Sequence, residues 1–312
     1  MTDTIIETDR LILRRFVDSD VEAVFEFNSH PEVVKYTGEV PLQSMDEAQK
    51  IISTIWHRDY DIQGYGRFAV VYKPDNKVIG FSGLKWETDI DNTDIGYRFL
   101  PEYWGKGIAT ESCIPLLKYG FKELGLHQIL GLALPENAAS SNVLQKIGMD
   151  HYKTENFPGE DLLCKWYKIE NPNSKPIAVS NQINCSVEKA WSALTELNEM
   201  HKWYFEQLPA FKAELGFATE FVIHNEDRTF THQWKVTDVK PNKSISYTWK
   251  YAEYKGISRA IFVITPREQG VEVSVTCTGL ETFPDDIPEF RDESCRNGWK
   301  YFMNRLKEYC NS

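Results

Sequence analysis

The sequence predicts an α+β chain of two domains, and three observations carry that reading. Strand and helix signals interleave up to about residue 170. Asn171-Pro172-Asn173-Ser174-Lys175-Pro176 then stops both patterns with two prolines, two asparagines and a serine. Beyond it, strand signals come in a block that one long helical pattern closes. The expected boundaries are a first domain over 1–170, a linker over 171–176 and a second domain over 177–312. A length of 312 residues suits two domains of ordinary size.

In the first domain, Arg10 to Arg15 reads as a strand and Asp18 to Asn28 as a helix with acids in its first turn. Ser44 opens a second helix to about Tyr60, with Glu47 placed to complete a capping box. Phe68–Tyr72 and Val78–Leu84 read as strands around a Pro74-Asp75-Asn76 turn. Asp94 to Leu100 is a further strand. It runs into a loop with Gly105 and Gly107, and a helix follows with Pro115 inside it. An interior proline removes one hydrogen bond, so a kink is expected there. In the second domain, Ile245, Tyr247, Trp249 and Tyr251 alternate with polar residues, as do Val271, Val273, Val275 and Cys277. That period predicts antiparallel strands with one solvated face. Trp299, Phe302, Met303, Leu306 and Tyr309 then repeat at helical spacing.

Composition excludes several functions. The net charge is −11; residues 1–170 carry 18 basic and 27 acidic side chains and the remainder 17 and 19, so neither part has the basic excess that nucleic acid demands. No apolar run reaches the roughly 18 residues that cross a bilayer, and the acidic start lacks a secretory signal, so no membrane partner is expected. Six scattered cysteines and seven dispersed histidines show no metal spacing; no metal is expected, and the thiols suit a cytoplasmic location. Neither a Walker loop nor a Rossmann fingerprint is present. Two glycines between a strand and a helix N-terminus form either a plain turn or a cradle of free amides for a pyrophosphate.

Four blocks decide between those readings. Ile95-Gly96-Tyr97, Trp104-Gly105-Lys106-Gly107-Ile108-Ala109-Thr110-Glu111, Asn137-Ala138-Ala139-Ser140 and Val143-Leu144-Gln145-Lys146-Ile147-Gly148-Met149 resemble the GNAT acetyltransferases, in the RimJ/RimL-like group, over about residues 8–169. The resemblance implies the GNAT fold, a mixed twisted sheet with flanking helices, and acetyl-CoA as donor. It places the pyrophosphate on the loop of Trp104, Gly105, Lys106, Gly107, Ile108, Ala109 and Thr110. It runs the pantetheine arm beside Phe99 and Leu100, where a backbone amide polarises the thioester carbonyl. It makes Ser140 the acid for the departing thiolate and Asn137 a cofactor contact; as residue types, both also suit helix capping. Asp94 stands where relatives often carry a glutamate, one methylene longer. It is a candidate base or acceptor contact, with a plain solvated carboxylate as the alternative. A base matters more for some acceptors than others: at pH 7 a lysine is neutral about once in 2,000, an α-amine about once in ten.

Ile183-Asn184-Cys185-Ser186-Val187-Glu188-Lys189-Ala190-Trp191, then Lys202-Trp203-Tyr204-Phe205, Thr278-Gly279-Leu280 and Gly298-Trp299 resemble the heat-shock-protein ATPase activator type of the SRPBCC, or START-like, superfamily. That implies a helix-grip fold, an antiparallel sheet around a long C-terminal helix. Trp203, Trp234, Trp249, Phe262 and Trp299 are candidates either to line an apolar ligand pocket or to fill the core. Together the blocks imply an N-acetyltransferase for a primary amine, a protein N-terminus or a small molecule, whose second domain holds an apolar ligand or a protein partner. The alternative is a helix-grip binding protein with the first domain as a CoA sensor.

Overall fold

The computed structural model describes residues 4–225 and 227–312. The chain divides into two compact units. One takes the residues up to Gly120 and Gln128–Glu170; the other takes Phe121–His127 and Asn171–Ser312.

The first unit is a sheet with helices around it. β1 (Thr4–Glu7) and β2 (Leu11–Arg14) lead into α1 (Val21–Ser29) and the single turn α2 (Pro31–Val34). α3 (Met45–Lys50) passes through a π-helical stretch, Ile51–Trp56, into α4 (His57–Gln63). Ser44 caps α3 by accepting from the Glu47 amide at 3.3 Å, but Glu47 reaches past the cap to the Gln43 amide at 2.8 Å, so the expected box closes one residue earlier. β3 (Arg67–Tyr72), β4 (Lys77–Glu87) and β5 (Asn92–Phe99) follow; then come α5 (Ile108–Lys122), β6 (Gln128–Ala133), α6 (Ala138–Lys146), β7 (Asp150–Asn156) and β8 (Leu163–Glu170). α5 is assigned as one helix through Pro115, the residue beneath which a kink is expected from sequence.

The eight strands lie in the order β1-β2-β3-β4-β5-β6-β8-β7. Every pair is antiparallel except β5 with β6, which share a single bridge, Asp94 to Leu130. Neighbouring β4 and β5 pair along their whole length from Gly80–Phe99 to Glu87–Asn92. The sheet therefore parts on one side of β5, beyond Asp94, and leaves a gap that a ligand can enter.

The second unit holds β9 (Ile177–Ile183), α7 (Val187–Thr195), the turn α8 (Leu197–Met200), the strands β10 (Ala218–Asn225), β11 (Arg228–Lys240), β12 (Ser244–Tyr251), β13 (Ser258–Pro266) and β14 (Val271–Thr278), and α9 (Asp292–Asn311). The sheet is wholly antiparallel, in the order β10-β11-β12-β13-β14-β9. α9 buries Trp299, Met303, Leu306 and Cys310 in the core that lies against the sheet. β14 alternates buried and half-buried residues as its sequence predicts. β12 does not: Ser246 and Thr248, expected in solvent, are buried. The strand is central, and their small hydroxyls find partners on β11, Ser246 Oγ with Thr237 Oγ1 at 3.2 Å and Thr248 with the Lys235 carbonyl at 3.5 Å. Asn171, the first residue of the expected linker, is also buried, its side chain donating to Glu281 at 2.7 Å.

Candidate active site

The gap beside β5 opens into a cleft of about 720 Å³. Its floor is the β3–β4–β5 face. Register sets Phe81 opposite Arg98, Gly83 opposite Gly96 and Lys85 opposite Asp94, with Arg67 next to Gly83. Side chains two apart on a strand share a face, so these residues form one stripe. Ile51, Ile55 and Trp56 close one wall, and the π-helical turn lets residues five apart point the same way. Leu132, Leu134, Asn137, Ser140 and Leu144 close the other.

Gly96 has a steric reason to be glycine that its dipeptide neighbours do not reveal. The Arg67 guanidinium lies across it, and a Cβ there would stand 2.5 Å from Cζ. From that seat Arg67 donates to the Gly83 carbonyl at 2.7 Å and to Asp94 Oδ1 at 2.8 Å. Asp94 thus faces the cleft in a half-buried ion pair, which replaces the solvated carboxylate expected as its alternative. Glu87, two pleats along β4, also lines the cleft and accepts from Lys85 at 2.8 Å. Burial and the Asp94 charge push its carboxyl above the usual range, against Lys85 and Arg67. Asp59 on α4 is pushed up to about 6 by burial, with Lys85 and Arg67 pulling it back.

Asn137 caps α6, its Oδ1 accepting from the Ser140 amide at 3.0 Å. Ser140 Oγ lies 2.9 Å from the Tyr97 hydroxyl, which also reaches the Ser140 carbonyl at 3.1 Å. Burial raises Tyr97 far above neutrality, so this couple carries its protons throughout the physiological range. Tyr97 is a site residue that residue-type reasoning missed; its signal was its place in the Ile95-Gly96-Tyr97 block.

The glycine loop is separate from the cleft lining. Gly105 and Gly107 have φ of +70° and +76°, a region that residues with a Cβ rarely adopt. Nothing lies within 4 Å of a Cβ built on Gly105. The exposed loop runs into Ile108, the first residue of α5. Glu111 in the first turn would oppose an anion, but it is neutralised locally. It accepts from Thr8 Oγ1 at 2.6 Å and from the Arg10 amide at 3.0 Å, and pairs with the Arg10 guanidinium at 2.6 Å. Although burial raises its carboxyl, those hydrogen bonds hold it below the ordinary value. Arg10 also donates to the Lys106 carbonyl at 3.0 Å, which braces the loop. Trp104 donates from its indole to the Phe99 carbonyl at 2.7 Å, and the Leu100 amide is spent on Ile79 at 3.0 Å. Of the sequence-picked residues, the structure brings Asp94, Asn137 and Ser140 to one cleft and sets the loop at the end of the strand that floors it.

In the second unit, Trp203, Trp234, Trp249, Phe262 and Trp299 are all buried in one cluster. Trp234 lies 4.9 Å from Trp249, Trp249 5.8 Å from Trp299, and Trp299 5.7 Å from Phe262. They pack on one another and around Tyr204 as core.

Residues 10–150 match the family model for the acetyltransferase (GNAT) domain, and residues 184–311 match that for Activator of Hsp90 ATPase homolog 1-like protein. The first unit is 34% identical over 145 residues to the uncharacterized N-acetyltransferase YoaA of Bacillus subtilis (strain 168), covering 46% of this chain and 81% of that protein. It is 32% identical over 142 residues to the uncharacterized N-acetyltransferase p20 of Bacillus licheniformis, covering 45% and 79%. A solved GNAT-family acetyltransferase from Bacillus anthracis is 30% identical with a TM-score of 0.46, over 53% of this chain and 97% of that one. The chain belongs to the GNAT acetyltransferases: it is an N-acetyltransferase that carries a C-terminal domain of the Hsp90 ATPase activator type.

Proposed function

We propose that the chain transfers an acetyl group from acetyl-CoA to a primary amine bound in the cleft beside β5. The observation that carries this is the combination of a parted sheet, a Tyr97–Ser140 proton couple in the gap, and an open positive-φ glycine loop whose nearby acid is tied off by Arg10.

These residues fit the donor. The amides from Gly105 to Thr110 hold its diphosphate, where helix-end partial charge favours an anion. Bound, the donor supplies a thioester open to attack by an amine. Ser140, with Tyr97 behind it, holds a proton for the departing sulfur. Asn137 fixes Ser140 by capping its helix. Asp94 sits on the acceptor side of the same face. For the second unit we propose an accessory binding role, for an apolar ligand or a protein partner.

The test is a transfer assay with acetyl-CoA against spermidine, aminoglycosides and peptides with free N-termini, read by mass spectrometry. Acetylation of at least one amine supports the reading; no transfer to any of them contradicts it. In the same assay Ser140→Ala is expected to lower kcat by about 10²-fold while leaving acetyl-CoA affinity within a factor of about two. Unchanged turnover would remove Ser140 from the chemistry.

A further inference from the structure

Four charged side chains meet at one end of the cleft, Arg67 on β3, Lys85 and Glu87 on β4 and Asp94 on β5, and Asp59 on α4 lies close enough behind them to feel Lys85, Arg67 and Glu87. Both cations are engaged, Arg67 by Asp94 and Lys85 by Glu87. Asp59 is left over, and its buried Oδ2 has no hydrogen-bond partner among the described residues. Arg58, exposed on α4, also acts on Asp59, but no hydrogen bond reaches Oδ2.

Of the carboxylates that line the cleft, Asp94 and Glu87 share this end and are not equivalent. Asp94 is gripped by a planar guanidinium that is itself fixed at Gly83 and seated over Gly96. A fork on rigid strands releases its partner with difficulty. Glu87 is held by a single bond from one flexible lysine, and a quarter of its side chain (24%) is open to solvent. A cation entering the cleft can take Glu87 without dismantling the floor.

We propose that Glu87 receives the ammonium group of the acceptor amine, that Arg67 and Gly96 hold Asp94 as a positioning residue, and that Lys85 passes from Glu87 toward Asp59 as the amine docks. The inference rests on the reading of this cleft as the acceptor site. It assigns the acceptor's cationic head to the carboxylate that is held by one flexible partner. It also sets a pH dependence. The charged groups facing Glu87 are Lys85, Asp94 and Arg67, and those facing Asp59 are Lys85, Arg67, Glu87 and Arg58. Asp59 ionises only above about 6, so a carboxylate able to take Lys85 from Glu87 appears, and ammonium binding strengthens, as pH rises through that value.

An NMR titration of the full chain with n-butylammonium chloride at pH 5.5 and 7.5 tests this without turnover. The wild type is expected to bind at 7.5 and several-fold more weakly at 5.5. Glu87→Gln should weaken binding by 10-fold or more and Glu87→Asp should restore part of it. Asp94→Asn should change it less than 3-fold, and Asp59→Asn should flatten the pH dependence. Amide spectra matching the wild type away from the cleft establish that the variants fold. Wild-type affinity in Glu87→Gln, a larger loss in Asp94→Asn, or no binding by the wild type at pH 7.5 would each overturn the proposal. Acetyl-CoA affinity measured on the same samples separates the two claims. Lost donor binding with intact ammonium binding contradicts the acetyl-transfer reading alone, and the reverse contradicts this one.

Discussion

At Gly96 a single absent methyl group organises the floor of the cleft. Alanine there would place a Cβ 2.5 Å from the guanidinium and push Arg67 off Asp94. Overpacking of this kind costs about 1–3 kcal/mol. The expected result for Gly96→Ala is a rise of about 10-fold in the KM for the amine, with acetyl-CoA affinity unchanged by calorimetry; an unchanged KM would show that the Arg67 seat does not serve the acceptor. Asp59 makes a prediction of opposite sign for stability. Its native carboxyl is pushed up to about 6 from 3.8, so the folded state holds the proton more tightly than the unfolded chain. Stability is therefore favoured at low pH and lost as pH rises from 3.8 through about 6. Above that, an ionised Asp59 destabilises the first unit. Asp59→Asn should stabilise that unit at pH 7–8 by about 1–2 kcal/mol after allowance for solvent screening, measured by denaturant unfolding. A loss of stability there would mean that Asp59 is well paired. Sequence made Asp94, Asn137 and Ser140 legible because each sits in a short block of fixed spacing. Arg67, Glu87 and Asp59 were not legible. They stand in three different elements, and only strand register and the α4 packing bring them together.

Among the elements, hydrophobic period located most strands and helices, and what it missed has physical causes. The π-helical turn between α3 and α4 looks like ordinary helix in sequence, yet it aligns Ile51 and Trp56 on the cleft. The β12 alternation implied a wet face, but a central strand can bury small hydroxyls once they are hydrogen-bonded. The glycine loop was read from its residues, whereas its brace was not, because Arg10 and Glu111 lie a hundred residues apart. In the second unit the sheet carries a titratable flaw. His232 on β11 is buried against Phe221, Trp249 and Tyr251, at 4.7, 5.1 and 4.9 Å between ring centroids. Burial lowers its pKa to about 3, against an opposing pull from Glu253. The unfolded chain takes up this proton below 6.5 and the folded one does not until about 3. The stability contribution is thus complete above 6.5 and is lost progressively toward 3, by roughly 3–5 kcal/mol in all. Unfolding of the second unit followed by tryptophan fluorescence should show this slope, and His232→Phe should remove most of it. An unchanged slope in the variant would place the titrating group elsewhere.

At the scale of the molecule, two units with separate cores share one chain. Acetyl transfer is a property of the first, and the proposed donor and acceptor sites meet at β5. The strand ends in Phe99 beside the glycine loop, carries Arg98 and Asp94 into the cleft, and parts from β6 to open it. The Hsp90-activator-type unit has an interior built from packed aromatics. The central claim is that the Gly105–Thr110 amides hold acetyl-CoA. Calorimetric titration of acetyl-CoA into the full chain and into its Gly107→Glu variant tests this most directly. One site is expected in the wild type, with a donor concentration 100 times Kd stabilising the first unit by about 2.7 kcal/mol. The variant is expected to lose that site, because a carboxylate faces phosphate while the fold persists. Equal affinity in the two proteins, or no binding by the wild type, would contradict it.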